Sequence, residues 1–282
     1  MTNFSLTDLL WLFLILATIQ PVISRRMLDA MRMRKIAEIE KKRGSRVILM
    51  VYRQETMNLL GFPIMRFIDM NDSEAVLRAI HMTDPEAPID IVLHTPGGLA
   101  LAAIQIARAI KAHKGKISVF VPHMAMSGGT LIALAADEIV MCEHSMLGPI
   151  DPQINGMPAA SLIYVAETKP IGEVDDQTLM SADIARKSTR QIERAATELL
   201  VEHIPQERAA EIARLLSCGQ WTHDYPILPR EAQQLGLRVT VDMPGEVMEL
   251  MTLYPQPARM QPTVEYLPVK RERPAAPMPA AN

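Results

Sequence analysis

The chain has 282 residues, of which 49% are hydrophobic, so it is long enough to bury a large core in one or two domains. Its net charge of −3 gives no electrostatic case for nucleic-acid binding. The two cysteines, Cys142 and Cys218, form no metal-binding motif and indicate neither a disulfide scaffold nor a thiol enzyme. A single disulfide between them is an alternative that the sequence leaves undecided. We expect no metal and no cofactor.

An apolar run over residues 9–16 dominates the start of the chain. As a helix, residues 4–24 would measure about 31 Å, enough to cross the hydrocarbon core of a bilayer. Before the run the only charge is Asp8, whereas a cleaved signal peptide should carry positive charge there. Five basic residues follow the run instead: Arg25, Arg26, Arg32, Arg34 and Lys35. We predict an uncleaved anchor over residues 1–26; a signal peptide and a core helix are the alternatives.

The charges behind the apolar run also predict the topology. By the positive-inside rule, the N-terminus faces outward and the rest of the chain stays in the cytoplasm. Residues 27–44 consist of good helix formers and predict a juxtamembrane helix, which either rests on anionic lipid or is a solvated spacer. Residues 45–254 are predicted to form one folded domain. In residues 255–282 seven positions are proline, which predicts a disordered tail.

Two strand–loop–helix units adjoin within this domain. Residues 89–93 form a short β-branched apolar run, typical of a buried strand, and Pro96-Gly97-Gly98 ends it. Apolar residues then recur at helical spacing up to Ile110. The second unit has a strand over residues 117–121, a loop that carries Ser127, and a buried helix over residues 131–136. In a parallel sheet these two loops lie side by side at the carboxyl edge, where α/β sheets bind ligands.

The remaining elements surround these units. Strands are predicted over residues 47–52 and 138–142, and helices over residues 72–82, 179–202 and 207–216. Residues 145–152 are irregular, and residues 156–178 are mixed and suit a lid or an oligomer contact.

The paired loops carry a recognisable motif. His94-Thr95-Pro96-Gly97-Gly98 is followed some thirty residues later by Met126-Ser127-Gly128-Gly129-Thr130. Each half alone is more often only a turn or a helix cap. In this order the two halves resemble the Clp protease/crotonase superfamily, and within it the signal peptide peptidase A-like and serine dehydrogenase proteinase family. The resemblance runs from about residue 47 to about residue 257. It implies an α/β spiral of β-β-α units, a serine peptidase and a homo-oligomer.

The same resemblance assigns the site residues. Ser127 is the expected nucleophile, and backbone N–H groups of Gly97 or Gly98 and of Gly128 are the expected oxyanion hole. Clp-type proteases carry a histidine about 25 residues after the serine, where this chain has Ile150 and Asp151. A Ser-His-Asp triad is therefore disfavoured, and a Ser-Lys dyad is favoured.

Several residues compete for the role of base. Two lysines lie at a suitable distance along the chain, and the resemblance places the catalytic lysine at or just before the start of the long helix, which fits Lys187 better than Lys169. A lysine acts as base only where apolar burial lowers its pKa. We interpret His123 as a loop or core histidine, and His223 with Asp224 as loop hydrogen-bonding groups.

Three functions are consistent with these features. The leading hypothesis is a membrane-anchored serine endopeptidase that acts on peptides or membrane proteins. A catalytically silent scaffold for membrane proteins could share every fold element. A crotonase-like acyl-CoA enzyme is the third hypothesis, but a serine at the nucleophile position and a membrane anchor both disfavour it.

Overall fold

The structure is a computed structural model that describes residues 6–52 and 66–254; within the first helix it describes side chains at positions 11, 19, 20 and from 22 onward. The helices are α1 (Leu6–Arg43), α2 (Met70–His81), α3 (Ala100–Ala112), α4 (Gly128–Leu134), α5 (Ala159–Thr168), α6 (Asp176–Leu200), α7 (Gln206–Ser217), α8 (Pro229–Leu235) and α9 (Gly245–Thr252). The strands are β1 (Arg46–Val51), β2 (Ile89–His94), β3 (Ile117–Val121), β4 (Met124–Ala125), β5 (Glu138–Met141), β6 (Met146–Leu147), β7 (Gln153–Ile154), β8 (Met157–Pro158) and β9 (Val239–Thr240).

A parallel sheet with the strand order β1-β2-β3-β5-β9 forms the centre of the fold. Every residue of β2 and β3 is buried, as expected for parallel strands covered on both faces. The predicted strands over residues 89–93 and 117–121 are thus confirmed. The short strands β4 and β6 pair beside this sheet; β3, β4 and α4 form one unit of long strand, short strand and helix, and β5 and β6 begin a second. This arrangement agrees with the predicted β-β-α units.

Each face of the sheet packs against helices. The larger core lies against α2, α3, α4, α6, α7 and α8. On the opposite face, Ile39 of α1 packs with Phe120 of β3 and with Val247 and Leu250 of α9, all essentially inaccessible to solvent. Burial of one such aliphatic side chain contributes about 1.5–3 kcal/mol to stability. The end of α1 is therefore part of the domain.

The basic residues near the end of α1 contact the protein. Lys35 and Lys42 form ion pairs with Glu249 and Glu246 of α9, and Arg43 pairs with the buried carboxylate of Asp90. Residues 27–43 are helical, and α1 runs unbroken across the predicted boundary at residue 26.

The predicted anchor cannot be compared with the structure in full. Most side chains of residues 9–16 lie outside the described ones. Among the described residues, no helix has both the length and the apolar character needed to cross a membrane. The predicted tail, residues 255–282, also lies outside the described part of the chain.

Two local predictions need correction. Residues 156–178, predicted as mixed, contain the helix α5 as well as loops. The prolines on either side of this ten-residue helix, Pro158 and Pro170, obscured its pattern in the sequence. Helix α2 begins earlier than predicted, because Asp69 is its N-cap and forms a capping box with Asp72.

A histidine links the end of α6 to β9. Arg238 donates a hydrogen bond to Nδ1 of His203 over 2.7 Å, which requires a neutral ring. Burial, and then the charges of Arg238 and Lys111, lower the pKa of His203 against the opposing effect of Asp137 and Glu202. A histidine pKa that is lower in the folded state stabilises the fold above its unfolded value, and this stability is lost as the pH falls.

We predict that His203→Gln flattens this pH dependence. A glutamine oxygen can accept the Arg238 hydrogen bond at any pH, so the variant should lose less unfolding free energy than the wild type between about pH 7.5 and pH 5.5. Denaturant unfolding at both pH values measures the difference. Equal losses in the two proteins would contradict the assignment.

Candidate active site

The two motif loops are hydrogen-bonded to each other at the carboxyl edge of the sheet. Thr95 follows β2 directly; its N–H donates to Met124 O over 3.1 Å and its carbonyl accepts from Met126 N–H over 3.0 Å. The turn from β4 into α4 then places Ser127 beside the glycines that follow Thr95. The predicted meeting of the two loops is therefore observed.

Ser127 has a strained backbone conformation. Its φ is 52° and its ψ is −115°, a combination that costs a non-glycine residue about 1–3 kcal/mol. Gly129 N–H closes the turn on Met126 O over 2.7 Å. Ser127 does not cap α4 with its side chain, and within the described part of the chain its Oγ has no hydrogen-bond partner. A strained strand-to-helix turn whose serine hydroxyl is not engaged by the helix is the arrangement of a serine nucleophile.

Glycines allow the loops to approach this closely. Gly97 has a φ of 112°, and a Cβ there would lie 2.8 Å from Ser127 Cβ. A Cβ at Gly129 would lie 2.4 Å from Thr95 Cγ2, and one at Gly98 would lie 2.3 Å from the backbone N and O of Ile68. Ile68 N–H in turn donates to Gly97 O over 2.9 Å and fixes the loop from its other side.

Two N–H groups are available beside Ser127. Gly97 N–H donates to Thr95 Oγ1 over 3.1 Å, so it is already engaged. Gly98 and Gly128 N–H have no acceptor among the described residues. A Cβ on Gly128 would lie 3.6 Å from Gly98 N, so the two residues adjoin. Of the three glycines predicted for the oxyanion hole, Gly98 and Gly128 have the geometry to donate, and Gly97 shapes the turn.

Neither candidate lysine contacts Ser127 within the described part of the chain. Lys187 lies on α6 with 59% of its side chain exposed and forms an ion pair with Asp183. Lys169 is exposed at the end of α5. Within the described residues, no hydrogen bond or ion pair joins either lysine to Ser127. In this chain neither lysine has the apolar burial that a lysine base requires.

A histidine–aspartate pair joins the segment after β6 to the loop between α7 and α8. His223 Nδ1 is 2.8 Å from Oδ1 of Asp151, whose side chain is only 2% exposed, while the His223 side chain is 32% exposed. Gln153 donates to the other carboxylate oxygen over 2.7 Å. A buried carboxylate that holds one ring nitrogen leaves the other free to take a proton. The sequence interpretation assigned His223 only to the loop.

The strand register relates this pair to Ser127. β4 pairs with β6 so that Ala125 is opposite Leu147, and Leu147 bridges Ile227 on its other side. Thr130 Oγ1 also accepts from Gly148 N–H over 3.0 Å and donates to Gly148 O. The segment that leads to Asp151 thus runs between the Ser127 loop and the His223 loop. Within the described residues, no hydrogen bond joins His223 to Ser127 itself.

A groove of about 880 Å³ opens beside Gly98. Tyr52, Ile68, Asp72 and Leu99 are among the residues that line it. Burial and a hydrogen bond to the Asp72 carboxylate raise the pKa of Tyr52 far above its usual value, so its hydroxyl stays protonated. The groove reaches Gly98, one of the two residues with an available N–H. No group of histidine, cysteine or acidic residues in the described ranges could hold a metal ion.

The fold and the site define a ClpP-like serine proteinase. The family model for ClpP-like SDH-type serine proteinases matches residues 1–280, so the chain belongs to that family. The resemblance to serine dehydrogenase proteinases is thereby confirmed.

Relatives of similar length are known from an archaeon. Two uncharacterised proteins of Methanocaldococcus jannaschii are 48% and 49% identical to this chain; the alignments cover 93% and 92% of this chain and 92% and 88% of those proteins.

Solved structures of a membrane-bound stomatin-specific protease, 1510-N, are also similar. One mutant is 24% identical, covers 65% of this chain and 79% of its own, and gives a TM-score of 0.43. Another, in complex with a substrate peptide, is 26% identical, covers 65% and 74%, and gives a TM-score of 0.43.

We predict that Gly98→Ala disrupts the oxyanion hole. The added Cβ would meet the backbone of Ile68, so the loop must move and carry the Gly98 N–H out of position. Peptide hydrolysis should fall at least about a hundredfold, the usual effect of losing an oxyanion donor. Gly172→Ala is the matched control, because nothing lies within 4 Å of its Cβ position. Normal hydrolysis by Gly98→Ala would show that this loop is only a turn.

Proposed function

We propose that the chain is a serine endopeptidase in which Ser127 attacks the peptide carbonyl. The observation that carries this proposal is the strained turn that leaves the half-buried Ser127 hydroxyl without a capping bond, beside the N–H groups of Gly98 and Gly128. Membership of a serine proteinase family supports the same reaction.

The reaction would proceed by acyl transfer. A base takes the hydroxyl proton while Oγ bonds to the carbonyl carbon, and the oxyanion accepts hydrogen bonds from Gly98 and Gly128. Loss of one such donor costs about 2.7–4 kcal/mol of transition-state stabilisation. The base then returns its proton to the leaving amine, and water hydrolyses the acyl-enzyme.

For the base we propose His223, oriented by Asp151. The buried carboxylate and the 2.8 Å contact favour this pair, as does the start of the segment that carries Asp151 at β6, which pairs with β4 beside the Ser127 loop. Lys187 remains the base that the family resemblance implies, and Lys169 is its rival. A lysine base would require α6, or the end of α5, to adopt a more buried position than the exposed one observed here.

We predict that His223→Gln lowers kcat by about a hundredfold or more, as expected for a general base. Asp151→Asn should lower kcat similarly, because the ring would lose the group that sets its tautomer. The measurement is steady-state hydrolysis of a fluorogenic peptide library, with Ser127→Ala as the inactive reference. His144→Gln is the matched control, because His144 is exposed.

The lysine variants separate the two hypotheses. Lys187→Ala and Lys169→Ala should keep near-normal kcat if His223 is the base. A dead Lys187→Ala that Lys187→Arg does not restore, together with an active His223→Gln, would overturn the histidine and establish the dyad, since arginine does not deprotonate in the working range.

We also propose that the protein is anchored in the cell membrane by residues 1–26, with its catalytic domain in the cytoplasm. The apolar run and the basic residues behind it support this arrangement. The substrate would be a peptide or a membrane protein. Exposed apolar side chains on the α5–α6 side, among them Tyr164, Ile171 and Met180, support a homo-oligomer.

We predict that the protein stays with membranes after carbonate washing and that a reporter fused after Asn282 behaves as cytoplasmic. Release by the wash would remove the anchor, and reporter activity outside the cytoplasm would reverse the topology. A catalytically silent scaffold would show the same localisation but no peptide hydrolysis.

A further inference from the structure

Strand β1 lies at one edge of the central sheet. Among the described strands it pairs with β2 alone. Over residues 47–51 it contains neither a charged residue nor a proline, two of the devices by which proteins keep an edge strand from pairing with another segment. An apolar edge without such protection is typical of a strand that another segment covers.

Every second residue of β1 turns its backbone groups away from β2. The N–H of Val47 donates to the Glu40 carboxylate over 3.0 Å, on the outer side of the strand. Because successive residues of a strand point their N–H and C=O groups to opposite sides, the groups of Leu49 and Val51 also point outward. Unlike Val47, neither of these two N–H groups has an acceptor among the described residues. We call the N–H groups of Leu49 and Val51 the outward amides.

The residues between them are bonded to β2. Tyr52 N–H donates to His94 O over 2.7 Å, on the inner side of β1. The same alternation turns the N–H groups of Ile48 and Met50 toward β2, and we call these two the inward amides. The strand therefore contains its own reference, because the inward amides are satisfied whatever lies outside the edge.

Open space adjoins the outward amides. Residues 49–52 line the groove of about 880 Å³ that reaches Gly98, and Ile68 and Asp69 are among the residues that complete its lining. The side chains of Leu49 and Val51 are only half-buried, although both belong to the apolar cluster on the α1 and α9 face of the sheet. The groove thus has room for an extended segment beside the edge of β1.

The C-terminal tail leaves the domain at this same cluster. Leu253 and Tyr254 pack against the cluster that contains Leu49 and Val51. Arg32 fixes the end of the domain there, since its Nε donates to Leu253 O over 2.9 Å and its guanidinium carbon lies 4.1 Å from the centre of the Tyr254 ring. Residues 255–282 follow directly.

The tail contains one run that suits a strand. Residues 263–267 read Thr-Val-Glu-Tyr-Leu, in which threonine, valine and tyrosine favour strands, and prolines at 262 and 268 bound the run. The linker over residues 255–262 spans up to about 26 Å, more than the length of β1, about 20 Å. A segment that is disordered alone can add as a strand, because the sheet edge supplies its hydrogen-bond partners.

We propose that residues 263–267 add to the edge of β1 as a further strand of the central sheet, with their carbonyl groups accepting the outward amides. Because residues 49–52 line the groove, the added strand lies within it and competes there with any other extended peptide. The proposal does not depend on the peptidase or on the anchor, since it concerns backbone hydrogen bonds alone.

Hydrogen–deuterium exchange resolved to single amides tests the added strand in the full-length protein in detergent. The test variant replaces residues 263–267 by Gly-Ser-Gly-Ser-Gly, and the matched control makes the same replacement at residues 269–273. In the test variant the outward amides should exchange at least about tenfold faster than in the wild type, because they lose their acceptors. The inward amides should exchange at the same rate in all three proteins, which also shows that the variants are folded.

A peptide added to the test variant then shows where the run binds. A synthetic peptide of residues 262–268 should slow the exchange of the outward amides again, in proportion to its occupancy, and leave the inward amides unchanged. A peptide of the same composition in scrambled order is the control. If the replacement speeds exchange but the native peptide does not slow it, the tail acts elsewhere and the proposal is overturned.

The remaining outcomes identify other occupants of the edge. Slow exchange of the outward amides that the replacement does not change assigns the cover to another segment, such as residues 53–65, and overturns the proposal. Fast exchange of these amides in the wild type shows an open edge and overturns it as well. Protection that falls on dilution of the protein assigns the added strand to a second copy instead of to the same chain.

Discussion

The rest of the site depends on the close approach of two loops that lack side chains at four positions. Gly97, Gly98, Gly128 and Gly129 leave room for the backbones to meet, and a Cβ at three of them would lie within 3 Å of a neighbouring atom. This contact keeps Ser127 in its strained conformation, and the two backbone hydrogen bonds that join Thr95 to Met124 and Met126 hold it there. The sheet and its helices provide the rigidity that offsets the strain.

The sequence predicted the parts of the site that follow from local pattern. Short, mostly apolar runs, interrupted only by Asp90 and Ser118, identified β2 and β3, because a parallel strand buried on both faces has no regular polar alternation. The two glycine motifs identified Ser127 and its neighbours, because only glycine permits such contact. The engagement of Gly97 N–H by Thr95 could not be predicted, since it depends on a side-chain orientation that no spacing encodes.

The pair of His223 and Asp151 shows more clearly what the sequence pattern could not predict. The two residues are 72 positions apart and meet only because the segment after β6 lies beside residue 227. Asp151 was noted in the sequence only as occupying the place of a family histidine. Lys187, by contrast, stood near the start of an amphipathic helix, but helical periodicity does not specify which charged residues remain in solvent. Helix α5 was missed because the prolines on both sides dominated the local signal.

On the other face of the sheet, ion pairs define how α1 lies against α9 but contribute little to the stability of the fold. Ion pairs between α1 and α9 are largely exposed, and such pairs are worth about 0–1 kcal/mol each. Ile39 and its apolar neighbours supply the binding energy, while the ion pairs and the Arg32 contact define register and direction. The end of α1 is therefore held against the sheet in a single register with α9.

The most direct test of the account is to trap the acyl-enzyme. Hydrolysis of an activated peptide ester should show a burst, and rapid acid quenching followed by peptide mapping should find the acyl group on Ser127. In His223→Gln the burst should slow while Ser127 remains the only acylated residue. Hydrolysis without any acyl intermediate, or acylation of a different residue, would contradict the account.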